Sequence, residues 1–458
     1  MNNERTKFLL AESDIPRTWQ NPAADLPDMH PILDPQSGRP LGRDALARTM
    51  TTELADQELS TEKDFEIPQA VREIYQQWRP TPLHRARRLE RALNTPARIY
   101  YKNEGVAPSG SFKPNTSVAQ AYYNKQAGKL GLIVETGAGQ WGCAIAYAAA
   151  LFGMSAQVFM VRVSYQQKPY RRALMETYGA SCVPSPSTTT SAGRSILADT
   201  PEHPGSLGVA KSEALELAMA NPELGYARGS GLNYVCAHQS VIGQEAIAQM
   251  NIAEEYPDIV IGCAGGGSNL AGLAFPFLRA QQHGGPKVRL IAAEPAACPT
   301  LTRGRIAYDF ADTLGMTPLF RMHTLGHRFI PPAVHAGGLR AHNIAPVISR
   351  AVETGVMEAV ALRQVDCFEA GVLFARTEGI LPAPESTHAI RAAITEAIRC
   401  REEDKGQTIL FGLSGHGNFD LSAYEQYLGG KLLDDSLDDA AVERGLASIP
   451  HLPTMRGS

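Results

Sequence analysis

From residue 97 onward the chain repeats one pattern, a short apolar run followed by a stretch of helical length. ARIYY (97–101), GLIVE (131–135), AQVFMV (156–161), DIVIGC (258–263), KVRLIAAEP (287–295) and TILFGLSG (408–415) read as strands. Residues 114–126, 140–153, about 166–178 and about 240–256 read as helices. Apolar runs without polar alternation suit strands buried on both faces, so the pattern predicts an α/β fold with mostly parallel sheets covered by helices. Ligands in such folds gather where strands end and loops lead into helices.

The 458 residues suffice for two domains at the usual ~100–200 residues each. The first 80 residues are rich in Pro, Asp and Glu, which predicts an extended N-terminal arm over 1–80. An N-terminal α/β domain is expected over 81–230, a C-terminal α/β domain over 231–433, and a loosely held tail over 434–458. A net charge of −4 argues against nucleic acid as a partner. The adjacent basic pair Arg171–Arg172 reads as a solvated helix face. Seven dispersed cysteines without a CxxC pair predict reduced core thiols. The N-terminal stretch carries charges but no secretory h-region, and no run approaches the ~18 apolar residues of a membrane span. A cytoplasmic protein without membrane contact is expected.

Four loops carry residues capable of chemistry. In Ser109–Thr116 (SGSFKPNT), Lys113 precedes a helix whose first position is proline, where a missing N–H costs little. The helix dipole and partial desolvation there both favour the neutral amine that a Schiff-base lysine requires. Taken alone, it is as readily a surface lysine after a Gly/Ser turn. Gly265-Gly266-Gly267-Ser268-Asn269 follows an apolar strand and precedes a helix, so converging amides and the helix N-terminus suit a phosphate. The loop is neither GxGxxG nor GxxxxGK[ST], which weakens dinucleotide and P-loop readings. Glu135-Thr136-Gly137-Ala138-Gly139-Gln140 stands at another strand end, with amides and side chains fit for a carboxylate, or for a plain N-cap turn. Ser414, in LSGHG, could hydrogen-bond a heteroaromatic nitrogen or serve as a turn residue.

In this order and spacing the loops resemble tryptophan synthase β chains, more closely their divergent second branch. The likeness extends to WRPTPL, ETGAGQWG, HPGSLG, GGGSNLAGLAFPF, PPAVHAGGLR, ARTEGILPAPESTHAI and LSGHGNFD, from the arm to about residue 430. It implies a fold type II pyridoxal-phosphate (PLP) enzyme with two three-layer domains. It implies β-replacement joining L-serine to indole through an aminoacrylate, a carbon–oxygen lyase reaction. Lys113 is then the Schiff-base lysine and proton shuttle, and Gly265, Gly266, Gly267, Ser268 and Asn269 cradle the cofactor phosphate. Asn115, Glu385 and Ser414 are further cofactor contacts, Ser414 facing the pyridine nitrogen. Thr136, Gly137, Ala138, Gly139, Gln140 and Trp141 bind substrate, and Glu135 orients the nucleophile. Residues 128–212 correspond to a mobile element that closes over the intermediate. A homodimer is implied; docking of a tryptophan synthase α subunit and a monovalent-cation requirement stay open.

One position departs from the family. Phe112 stands where a histidine usually precedes the lysine, so phosphate binding must lean on the glycine loop. Phe112 keeps an alternative open, a related β-replacement using O-phosphoserine or a nucleophile other than indole.

Overall fold

The protein was analysed as a computed structural model, in which residues 5–434 and 437–452 are described. Two sheets organise them. The larger has seven strands in the order Lys7–Phe8, Leu83–Arg85, Arg98–Asn103, Thr408–Leu413, Ile259–Cys263, Arg289–Pro295 and Met357–Leu362. The last five run parallel to one another, and the first two pair antiparallel at one edge. The smaller sheet is wholly parallel, ordered Ser181–Ser185, Ser155–Val161, Gly131–Thr136, Leu224–Tyr226.

The continuous apolar runs are explained by what lies on each face. Along the larger sheet Val260, Leu290 and Leu410 enter one hydrophobic cluster, while Ile259, Ile261, Ile291, Ile409 and Phe411 enter another on the opposite side. In the smaller sheet Leu132 and Val134 face the first cluster, and Ile133 and Phe159 face a separate one. Both faces are therefore dry, and each such side chain contributes about 1.5–3 kcal/mol by leaving water.

Sheet membership crosses residue 230. Strand Arg98–Asn103 lies beside Thr408–Leu413 in the larger sheet, and residues 131–226 alone build the smaller one. The arm is also less extended than its composition suggests. It forms helices Thr52–Leu59 and Gln69–Tyr75, buries Trp19, and is held by Arg279, which bonds Asp25 and Asp64 at 2.9 Å each. In the tail, helix Asp439–Leu446 packs Val442 and Leu446 against Leu325 and Phe329, so this part is anchored; residues 453–458 lie outside the described set.

The helix expected over 166–178 is two, Arg162–Gln167 and Pro169–Thr177, because the residue before a proline is pushed out of helical geometry. Arg171 is not on a solvated face; it is buried and bonds Asp420 at 2.7 Å, and Lys168 bonds the same carboxylate. The seven cysteines are free, six of them buried and Cys182 half-buried. Among the described residues no helix is long and apolar enough to cross a membrane.

A buried ionic group joins the pieces near the start of helix Pro114–Gln126. Arg79 bonds Glu104 at 3.0 Å and Glu245 at 2.8 Å, and Lys102 bonds Glu245 at 2.7 Å. Despite burial, the cations Arg79 and Lys102 hold the Glu104 carboxyl below its usual range. The group ties strand Arg98–Asn103 to helix Val241–Ile252.

Candidate active site

Lys113 sits between the two sheets, on a loop laced to the end of strand Thr408–Leu413. The Phe112 amide donates to the Ser414 carbonyl at 3.0 Å, and the His416 amide donates to the Gly110 carbonyl at 3.0 Å. Gly110 has φ +75°, and a β-carbon there would meet the His416 ring at 2.3 Å. The close approach of the two loops thus needs glycine. It brings Lys113 and Ser414, far apart in sequence, into one cavity.

The same cavity is lined by Glu135, Thr136, Gly137, Ala138, Gln140, Trp141, Gly265, Gly266, Gly267, Ser268, Asn269 and Glu385. Two predicted residues do not line it. Asn115 turns into the ionic group, accepting from Arg79 at 2.8 Å and donating to Glu104 at 3.1 Å and Gln239 at 2.9 Å. Gly139, at φ +100°, instead caps helix Gln140–Leu151 and packs on Arg171, whose side chain a β-carbon would meet at 2.8 Å.

Burial lowers the Lys113 amine to about 8, with nearby Glu135 and Glu385 opposing the shift. This is the direction expected from its sequence position, with desolvation as the largest cause. The amine donates to the Gly229 carbonyl and lies 4.7 Å from the centroid of the Phe112 ring and 5.9 Å from that of Trp141. Two aromatic faces therefore flank the one reactive nitrogen.

The glycine loop opens helix Ser268–Gln282 with Gly267 at φ +88°. A β-carbon on Gly265 would strike the Gly338 carbonyl at 2.5 Å, and one on Gly266 the Ser230 hydroxyl at 2.2 Å. The loop is thus a cradle with no room for side chains, at the positive end of a helix. Opposite it, Glu385 accepts from the Gly338 amide at 2.8 Å through Oε1. Ser414 is bonded to Ser386 at 2.7 Å and approached by the Cys263 thiol at 3.6 Å. Burial pushes that thiol up to about 11, so it stays protonated.

Several buried polar atoms here have no partner among the described residues: both side-chain atoms of Asn269, Oε2 of Glu385, Oγ of Ser111 and Nε1 of Trp141. Buried polar groups are normally satisfied, so such a set marks a place built for a ligand. An amine, a glycine cradle at a helix start and unpartnered polar side chains are groups of the kind that PLP requires. Glu135 accepts from the Tyr226 hydroxyl at 2.7 Å, and Thr136 accepts from the Gly142 amide at 3.2 Å. Sequence reasoning missed Tyr226, Ser230 and Gly338. The glycine pair in HAGGLR was visible, but its place over Gly265 was not.

With this geometry in hand, comparison with known proteins gives the family. The family described as "Pyridoxal-phosphate dependent enzyme" matches residues 74–415. "Tryptophan synthase beta chain 2" of Aquifex aeolicus (strain VF5) is 54% identical over 432 residues, spanning 93% of this chain and 100% of its own. The proteins of the same name from Thermotoga maritima and Methanosarcina mazei are 53% and 51% identical, covering 91% and 94% of this chain and 98% and 97% of theirs. Among solved structures, a fungal L-serine ammonia-lyase from Rhizomucor miehei superposes with TM-score 0.58 at 18% identity, over 77% of this chain and 98% of its own. That likeness shows a shared fold. The chain belongs to the tryptophan synthase β-chain family of pyridoxal-phosphate-dependent enzymes.

Proposed function

We infer that this enzyme condenses L-serine with indole to form L-tryptophan by PLP-dependent β-replacement. The observation that carries the reading is the convergence of Lys113, the Gly265–Asn269 cradle and the Thr136–Gln140 loop on one cavity with unpartnered polar walls. PLP, when bound, supplies the electron sink that labilises the bonds at the serine Cα and Cβ. Lys113 would hold its aldehyde carbon, Gly265–Asn269 its phosphate, and Ser414 its ring nitrogen through a neutral hydroxyl. An amine titrating at about 8 is matched to moving a proton at Cα near neutral pH. The amides of the Thr136–Gln140 loop, at the start of helix Gln140–Leu151, hold the substrate carboxylate.

Glu135 accepts the nucleophile's N–H and assists loss of the hydroxyl, to which Lys113 passes the proton it takes from Cα. Phe112 and Trp141 fill the wall beside Lys113 with apolar surface and keep water from the reacting carbon. Residues 128–212 act as the closing element. By analogy with the family, the chain works as a homodimer, with or without an α subunit.

The test is a spectrophotometric assay of the PLP-loaded protein with serine, then indole. A serine-dependent spectral change that indole reverses, with tryptophan formed, is the expected result. No response to serine but turnover with O-phosphoserine would overturn the choice of donor, and Phe112 would then be the first residue to revert to His.

A further inference from the structure

Glu135 is not held by its own strand alone. The Tyr226 hydroxyl donates to its Oε2 at 2.7 Å, and both side chains are buried. Tyr226 ends strand Leu224–Tyr226, which pairs in parallel with Gly131–Thr136 so that Ile133 lies opposite Tyr226. The phenol thus leans along the sheet to reach the carboxylate two residues further on.

Arg228 stands behind the phenol. Its guanidinium carbon lies 5.6 Å from the centroid of the Tyr226 ring and 5.7 Å from that of Phe320. Its backbone is fixed by Gln120, which accepts from the Arg228 amide and donates to its carbonyl, each at 2.8 Å. The other titratable groups facing Glu135 are Lys113, Lys211 from helix Leu207–Ala220, and Tyr234 from helix Asn233–His238. Lys211 is engaged by the Ala311 carbonyl at 2.8 Å, so the Tyr226 hydroxyl is the donor seated on the carboxylate.

We propose that Tyr226, steadied by Arg228, is a positioning residue that occupies one oxygen of Glu135, so that the carboxylate presents its other oxygen to the incoming nucleophile. The inference rests on the reading that Glu135 receives that nucleophile. A terminal carboxylate torsion is broad, so a free Glu135 would sample many orientations in the cavity. Pinning Oε2 removes most of that freedom and leaves Oε1, which carries no hydrogen bond among the described residues, as the acceptor. Burial pushes the Tyr226 phenol well above its usual range, so it remains a donor at every working pH.

The test is Tyr226→Phe in the PLP-loaded enzyme, alongside Glu135→Gln. Loss of one charge-assisted hydrogen bond should lower kcat/KM for indole by about ten- to hundredfold. The serine KM and the serine-induced absorbance change should stay within about twofold. Arg228→Gln keeps the hydroxyl and removes its support; it should lower kcat/KM for indole by a smaller factor and likewise spare the serine response. It also carries the test if Tyr226→Phe does not accumulate as folded protein.

Nucleophile kinetics unchanged in the variants, or losses falling equally on serine and indole, would overturn the proposal. Should Glu135→Gln itself leave indole kinetics intact, the fault lies instead with the role given to Glu135.

Discussion

Two groups of buried polar side chains meet at the start of helix Pro114–Gln126, and they are satisfied to different degrees. In the Arg79 group every charge is answered: Lys102 has three acceptors, Thr81, Glu245 and Gln249, and Arg79 binds Glu104, Glu245 and Asn115. Around Lys113, by contrast, Asn269, Glu385, Ser111 and Trp141 keep buried atoms without partners. The first group has the chemistry of a clamp and the second that of a receptacle. Burial and charge alone do not distinguish them; the unfilled valences do.

Substitutions on each side should break or sharpen this contrast. Lys113→Ala carries the largest effect: the visible band of the lysine–PLP Schiff base should vanish and turnover fall by at least about a thousandfold. Stability of the cofactor-free protein should hardly change. A retained band would remove Lys113 from its role. Arg79→Met should do the reverse, costing about 3–5 kcal/mol in urea unfolding because Glu104 and Glu245 are left uncompensated. The cofactor dissociation constant per folded molecule should stay put; a specific loss of PLP affinity would make the clamp part of the receptacle.

Asn269→Ala comes next, weakening PLP by about tenfold in an equilibrium titration while leaving the cofactor-free protein's unfolding midpoint unmoved. A stability loss of the Arg79→Met kind would show that Asn269 belongs to the scaffold. The smallest effect is a pH dependence. Because burial lowers Lys113 to about 8, the neutral fraction grows as pH rises through that value. The rate at which cofactor-free protein captures PLP should rise up to about pH 8 and level off above it. A rate still climbing toward pH 10 would mean that the amine is not desolvated.

The sequence revealed these regions unequally. Strands Ile259–Cys263 and Gly131–Thr136 were legible because they are buried on both faces and therefore uniformly apolar. Edge strand Met357–Leu362 exposes Glu358 and Ala361 and buries only Met357 fully, and the hairpin Arg305–Phe310 with Leu319–Thr324 is mixed in polarity, so neither stood out. At the site, residues on strand-end loops were legible because glycine and helix starts mark them. Asn115 was expected at the cofactor from the family resemblance, yet residues two apart at a helix start point to different sides. Tyr226 escaped notice because it lies on a three-residue strand, and only the parallel register carries it to Glu135.

The central place of strand Thr408–Leu413 has a consequence during synthesis. It is inserted between Arg98–Asn103 and Ile259–Cys263, so those earlier strands cannot be joined until the last of the three has left the ribosome. At ~5–20 residues per second, the some 300 residues separating the first from the last of them take roughly 15–60 s to make. Throughout that interval the nascent chain carries two open strand edges and no complete cofactor pocket, since Ser414 has yet to emerge. The complete pocket therefore forms only after Ser414 has been made, and the period of greatest exposure to aggregation is set by the length of the chain between two neighbours in the sheet.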